Sequence, residues 1–132
     1  PYLSVCSIST HDMSTLRGWW HEDPNLTQRY YEQVLRGWGK CPKEAPGWIC
    51  DTIVVNHLLS NSMLCILSFQ DWLSIDENVR YPDADAERIN VPADSHHYWR
   101  YRMHLTIEEL MKCDFLNRRI ANMVQKSGRS SY

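Results

Sequence analysis

The chain opens on YLSVCSIST (residues 2–10), where β-branched and aromatic residues alternate with small polar ones. That pattern predicts a β-strand ending at Thr10, and the polar pair His11-Asp12 follows at once. After Asp23-Pro24-Asn25 the apolar positions change period. Leu26, Tyr30, Val34 and Trp38 recur at helical spacing, and Gly37 and Gly39 supply a stop. Lys40–Gly47 holds two prolines and reads as a loop. Ile49, Ile53, Val54, His57 and Leu58 then predict a second helix over 47–60. Val55 and Leu59 widen its apolar face, so it is expected to be well buried, with His57 a satisfied core histidine.

Residues 62–69, SMLCILSF, form a short continuous apolar run bounded by polar residues. Such a run predicts a strand buried on both faces, as in parallel sheets. It too ends in a polar pair, Gln70-Asp71, and QDWLSI has the length of one helical turn. Residues 76–97 make a long connection with little apolar content, of the kind that often carries function. WRYRMHL is a short ordered segment. Thr106-Ile-Glu-Glu109 is a capping box that starts a helix. Asp114 is expected to cap a further helix whose buried stripe is Leu116, Ile120, Met123 and Val124. The tail SGRSSY is expected to fray.

The order is therefore strand, helices, strand, loop, helices. Two buried strands that both end in polar residues are the mark of parallel βα units, an α/β class. In such folds chemistry gathers at the carboxyl ends of the strands. Two strands neither close a barrel nor cover a sheet, so residues 1–132 read as an incomplete domain, part of a larger α/β protein.

Composition narrows the partners. The 132 residues are 43 % hydrophobic and 23 % charged, with a formal net charge of −2. A chain so near neutrality lacks the basic field that a phosphate backbone demands, so no nucleic-acid partner is expected. The longest apolar run falls far short of the ~20 residues that span a bilayer, and no secretory leader pattern is visible. Five cysteines, an odd count, read as reduced thiols in a cytoplasmic protein. Cys6 and Cys65 sit in apolar runs as small core residues. Cys41 and Cys50 bracket CPKEAPGWIC, a spacing that fits no zinc pattern, so neither a metal nor a cofactor is expected. Six Trp and seven Tyr against two Phe supply rings with an apolar face and a polar handle. These suit the C–H faces and hydroxyl edges of sugars, although a plain packing role is the commoner one for any single ring.

His11-Asp12 is the sharpest chemical feature. A carboxylate at a strand end can stabilise developing positive charge, as in an oxocarbenium-like transition state, while an adjacent imidazole hydrogen-bonds a sugar hydroxyl. An Asp in such a place also caps the following turn, and the dipeptide alone leaves both readings open.

The wider motifs add a resemblance. THDMSTLRGWW at 10–20, SFQDWL at 68–73, AERINVP at 86–92 and HYWRYRMHLTIEEL at 97–110 closely resemble, in order, the C-terminal portion of 4-α-glucanotransferases. This is the amylomaltase or disproportionating-enzyme group, and HYWRYR resembles its plant cytosolic branch and bacterial relatives, which act on maltose and glucan acceptors. The resemblance implies a (β/α)8 TIM barrel of which this helix-rich chain supplies the last two strand–helix units. It also implies a retaining double displacement on α-1,4-glucosidic bonds. One Asp is the nucleophile, one Glu the acid/base and a second Asp the transition-state stabiliser. Asp12 matches that second Asp, and His11 matches the histidine that contacts the sugar in the donor subsite. No match to the other two is found, so the chain is expected to be catalytically incomplete. Glu22, Asp23, Glu108 and Glu109 read as solvated acids.

Arg17 continues the loop after Asp12, where it either orients acidic groups or forms a structural ion pair. Gln70 and Asp71 match the family's QD pair and line the pocket or tie loops together. Arg88 and Asn90 match an R-x-N-x-P segment near the barrel mouth and, with Arg17, Gln70 and Asp71, are the substrate-binding candidates; Trp99 and Arg102 match W-x-W-R. Tyr101, Ala93 and His21 depart from the short bacterial enzymes or the branch pattern. The expected partners are maltose, maltooligosaccharides or glucans and the remainder of the enzyme chain, with self-association of the fragment through its open sheet edges. Two other classes remain: a stand-alone sugar-binding module built on Trp and Tyr platforms, and a structural piece without ligand.

Overall fold

The structure is a computed structural model and describes residues 1–130. Among these, β1 (Val5–Cys6) and β2 (Leu64–Cys65) pair in parallel, with Val5 opposite Leu64 and Cys6 opposite Cys65. Between them lie α1 (Leu16–Glu22), α2 (Pro24–Gln33) and α3 (Gly47–Leu58). After β2 come α4 (Phe69–Leu73), a 3-10 turn at Asp85–Glu87, α5 (Ile107–Met111) and α6 (Asp114–Lys126). The parallel pairing and the helical crossover agree with the reading of the sequence.

Local chemistry explains the helix starts. The Thr15 side chain caps α1, accepting from the Gly18 amide. The Asp23 carboxylate accepts from the Asn25 and Leu26 amides at the start of α2, and Pro24 stands at its first position. Ser68 caps α4, and Thr106 and Glu109 form the reciprocal capping box of α5. Asp114 is the first residue of α6 rather than its cap; Cys113 holds the cap position without a side-chain hydrogen bond.

The core lies where α1, α3, α4 and α6 meet: Leu16, Trp20, Ile49, Cys50, Ile53, Val54, Leu58, Leu73, Leu116 and Met123. Trp20 is buried, and its indole N–H finds the Pro42 carbonyl at 2.9 Å. His57 is satisfied as expected, its Nδ1 lying 2.7 Å from the Ile53 carbonyl.

Several expectations are corrected. The strands are much shorter than 2–10 and 62–69, because each has one pairing partner among the described residues and only the central residues share a ladder. The residues of 62–69 are not buried on both faces either. Cys6 and Cys65 turn toward the helices and are half-buried, whereas Leu3 (81 % exposed), Val5 (59 %), Leu64 (47 %) and Ile66 (59 %) form an apolar face in the open. On α2 the buried side carries Thr27 and Tyr31, one residue on from the expected stripe; Leu26, Val34 and Trp38 are exposed. The shift follows from Gly37, whose bare Cα lets the Tyr31 ring pack against it, since a Cβ there would lie 2.2 Å from the ring. The chain leaves α2 through Arg36 and Gly39, both at positive φ. Leu59 is exposed rather than part of the buried face of α3. In the tail, Arg129 is tied down and donates to the carbonyls of Leu58, Ser60, Met63 and Ser62; Ser131 and Tyr132 lie outside the described residues.

His21, in the last turn of α1, lies 2.9 Å from Asp85 and 3.5 Å from Glu44. The hydrogen bond to Asp85 raises its imidazole above the ordinary range against the opposing pull of burial, and the charges of Asp85 and Glu44 add to the rise. A raised folded-state value means that this contribution to stability is complete below the unfolded value of about 6.5 and is lost as pH climbs through the folded one. His21→Gln should therefore lower the melting temperature more at pH 6 than at pH 8.5. Separately, Gly37→Ala should destabilise by about 1–3 kcal/mol through overpacking against Tyr31, read from the urea midpoint.

Candidate functional site

The site is built on a buried polar frame. Asp71, on α4 just after β2, is fully buried. One carboxylate oxygen accepts from the Leu16 amide at 2.9 Å and the other from the Ser9 hydroxyl. Ser9 and Leu16 are the two ends of the loop that follows β1, so a single carboxylate on the second strand–helix unit staples the loop of the first. A buried carboxylate is tolerable only when its lone pairs are met by donors, as here.

Glu87, in the 3-10 turn, supplies a second staple. Its oxygens meet the Arg17 guanidinium at 2.7 Å and the Thr15 hydroxyl at 3.0 Å, and all three side chains are buried. Burial pushes the Glu87 carboxyl up, while the adjacent Arg17 charge pulls the other way. Arg17 also donates to the carbonyls of Tyr81 and Pro82, and the Gln70 amide donates to the Glu87 carbonyl at 3.3 Å. The long connection at 76–97 is thus bonded to α1 and α4.

Above this frame the loop presents His11 and Asp12 to solvent. Their side chains are 55 % and 51 % exposed, and His11 Nε2 lies 3.2 Å from one Asp12 oxygen. The Asn90 carboxamide donates to the other oxygen at 2.6 Å. The Asn90 backbone N–H donates to the His11 carbonyl at 3.0 Å, and the Trp99 indole N–H donates to the Asn90 side-chain oxygen at 2.9 Å. The Trp99 ring faces His11 with centroids 5.4 Å apart. Arg88 donates to the Asn90 carbonyl at 2.9 Å and to the Ser14 hydroxyl at 3.0 Å. Residues 11–14 and 88–99 therefore form one hydrogen-bonded cluster with an ionisable pair at its surface.

The structure brings His11, Asp12, Arg88, Asn90 and Trp99 together. Arg17, Gln70 and Asp71, offered as substrate contacts, are interior and bonded within the chain; of the two roles weighed for Arg17 the ion pair is the one seen, and of the two weighed for Gln70 and Asp71 it is the tie between loops. Arg102 is exposed on a neighbouring hollow of about 470 Å³ that Arg100 also lines. Glu22 and Asp23 are not simply solvated: Glu22 pairs with Ser14 and lies 3.8 Å from Arg88, and Asp23 caps α2. Ser9 and Glu87 are not singled out in the sequence, although Glu87 lies within AERINVP. No local pattern picks them out, because their partners are 62 and 70 residues away. Among the described residues no group of three or more His, Cys, Asp or Glu could hold a metal ion, and no helix is long and apolar enough to cross a membrane.

With this geometry in view, the comparisons with known proteins define the class. The structure superposes on amylomaltase from Streptococcus agalactiae, solved in complex with acarbose, with a TM-score of 0.68 at 18 % identity, covering 95 % of this chain and 22 % of that one. The chain thus shares the fold of that part of a TIM-barrel enzyme. The 4-alpha-glucanotransferase family model matches residues 1–106, and the chain belongs to this family. It is 36 % identical over 129 residues to 4-alpha-glucanotransferase DPE2 of Oryza sativa subsp. japonica, covering 98 % of this chain and 14 % of the rice protein. To the 4-alpha-glucanotransferase of Chlamydia caviae it is 31 % identical over 125 residues, covering 94 % of this chain and 23 % of that protein. The chain therefore spans between about a seventh and a quarter of the length of these relatives.

Glu87→Ala should destabilise the protein by about 3 kcal/mol or more, because it strands a buried guanidinium. The double change Arg17→Met with Glu87→Leu should recover much of that loss, measured by chemical denaturation.

Proposed function

We propose that this chain is the C-terminal portion of the catalytic (β/α)8 barrel of a 4-α-glucanotransferase and supplies its last two strand–helix units. The complete enzyme transfers glucose or α-1,4-glucan segments between maltooligosaccharides or glucans by a retaining double displacement. Asp12 is the carboxylate that stabilises the oxocarbenium-like transition state, and His11 contacts a sugar hydroxyl in the donor subsite. The nucleophile and the acid/base stand on the remainder of the longer chain.

One observation carries this reading. The loop at the carboxyl end of β1 holds a solvent-facing His-Asp pair, and it is stapled by a carboxylate from the carboxyl end of the neighbouring parallel strand. Barrel enzymes assemble their chemistry from several strands at that rim. An anionic group held there by preorganised donors stabilises developing positive charge without reorganising at the moment of reaction. In this reading Arg17, Gln70, Asp71 and Glu87 are framework, and Arg88 and Asn90 belong to the rim.

The open apolar face formed by Leu3, Val5, Leu64 and Ile66 is where the rest of the barrel packs, since strands of parallel barrels are covered on both sides. Alone, the chain is expected to self-associate through that face and to lack transfer activity. Five free thiols support a reducing, cytoplasmic setting, in carbohydrate metabolism that handles starch or maltose.

In the full-length enzyme Asp12→Asn should reduce maltooligosaccharide transfer by about 10²–10³-fold or more while the circular dichroism spectrum and melting temperature stay near parental. Near-normal turnover would overturn the role given to Asp12.

A further inference from the structure

We infer that Asn90 is a positioning residue for the Asp12 carboxylate, an inference that rests on the reading of Asp12 given above. A carboxylate that is 51 % exposed has little packing to select its rotamer, and its terminal torsion is soft. Hydrogen bonds must then set its direction. His11 Nε2 lies 3.2 Å from one oxygen as an ion-pair neighbour, and the hydrogen bond is the one that the Asn90 amide donates to the other oxygen at 2.6 Å, a charge-assisted bond.

The orientation of that amide is unambiguous. An indole N–H can only donate and an ionised carboxylate can only accept. The Asn90 oxygen must therefore face Trp99 and its NH2 must face Asp12, as observed. Trp99 is 64 % exposed and stands against His11, so it prevents the amide from flipping and completes a ring of four side chains. The Asn90 backbone is held at both ends as well, by the His11 carbonyl and by Arg88. Arg88 is in turn bonded to Ser14 of the same loop. Each end of the carboxamide thus has a partner within the protein, and the contribution to rate assigned to it is the orientation of Asp12.

This separates two outcomes in the full-length enzyme. If Asn90 bound substrate directly, its removal would chiefly raise KM, whereas a carboxylate turned out of line lowers kcat. Asn90→Ala should lower kcat by about 10–100-fold, in line with the cost of a small misplacement, with KM changed less than about threefold and the melting temperature near parental. Asn90→Asp keeps the shape but, when ionised, sets two carboxylates together. Its activity should recover as pH falls and a shared proton restores the donor, a trend that Asn90→Ala cannot show. Trp99→Phe, which keeps a ring but removes the N–H, should lower kcat in the same direction by a smaller factor.

An Asn90→Ala enzyme with parental kcat, or one with raised KM and intact kcat, overturns the inference. So do superimposable pH profiles for Asn90→Ala and Asn90→Asp. Asp12→Asn run beside them tells the two failures apart. If it is inactive while Asn90→Ala is fully active, only this inference falls; if it is itself active, the reading of Asp12 falls first.

Discussion

The structure depends most on the Asp71 carboxylate and the two hydrogen bonds it accepts, from Ser9 and from Leu16. The loop between those residues has no regular structure of its own, and its His11-Asp12 pair lies on the outside, beyond the reach of core packing. Anchoring both ends of a loop to one buried group removes most of its conformational freedom while leaving its tip solvated. That suits a site whose charged groups must face a substrate. The anchor comes from the next strand–helix unit, so the two units are coupled beyond the carboxyl ends of the strands as well as through the short parallel ladder.

The Glu87–Arg17–Thr15 cluster does similar work for the long connection. A segment with little apolar content cannot hold itself in place by burying side chains. Here it is held by a buried ion pair and by Arg17 bonds to the carbonyls of Tyr81 and Pro82. Such a pair contributes little net stability compared with an apolar replacement, but breaking it is costly. Its value is geometric: it sets the 3-10 turn, and a few residues later Asn90 reaches Asp12. Interior polar groups set the frame, and the exposed polar groups above it carry the proposed chemistry.

The apolar surfaces divide in the same way. Helices α1, α3 and α6 bury their stripes against one another and form a core that includes Trp20 and Ile49. The sheet face opposite Cys6 and Cys65 is left open. The helices also leave apolar side chains in the open, Trp48, Ile107, Met111 and Phe115 among them.

How much of this is legible in the sequence follows from the range of each interaction. The α3 and α6 stripes, the capping box at Thr106 and Glu109 and the turn at QDWL are readable because their partners lie within a few residues. The parallel relation of the two strands is expected from the 62–69 run and from the helices between the strands, although that run is not buried on both faces, and the motifs around His11-Asp12 mark the family. The α2 face lies one position away from where its period puts it. Period alone does not say that a glycine six residues beyond Tyr31 makes room for its ring. Arg17, Gln70 and Asp71 read as site residues because they match positions of the family motifs. Their burial comes from partners 17 to 70 residues distant, and no local pattern encodes such a pairing. Short-range patterning in the chain was thus enough for the order of the elements and an α/β class, while the weight on His11-Asp12 came from the family resemblance. Which polar residues are buried and which stand on the surface was settled by folding, because long-range hydrogen bonds and burial exist only once the chain has come together.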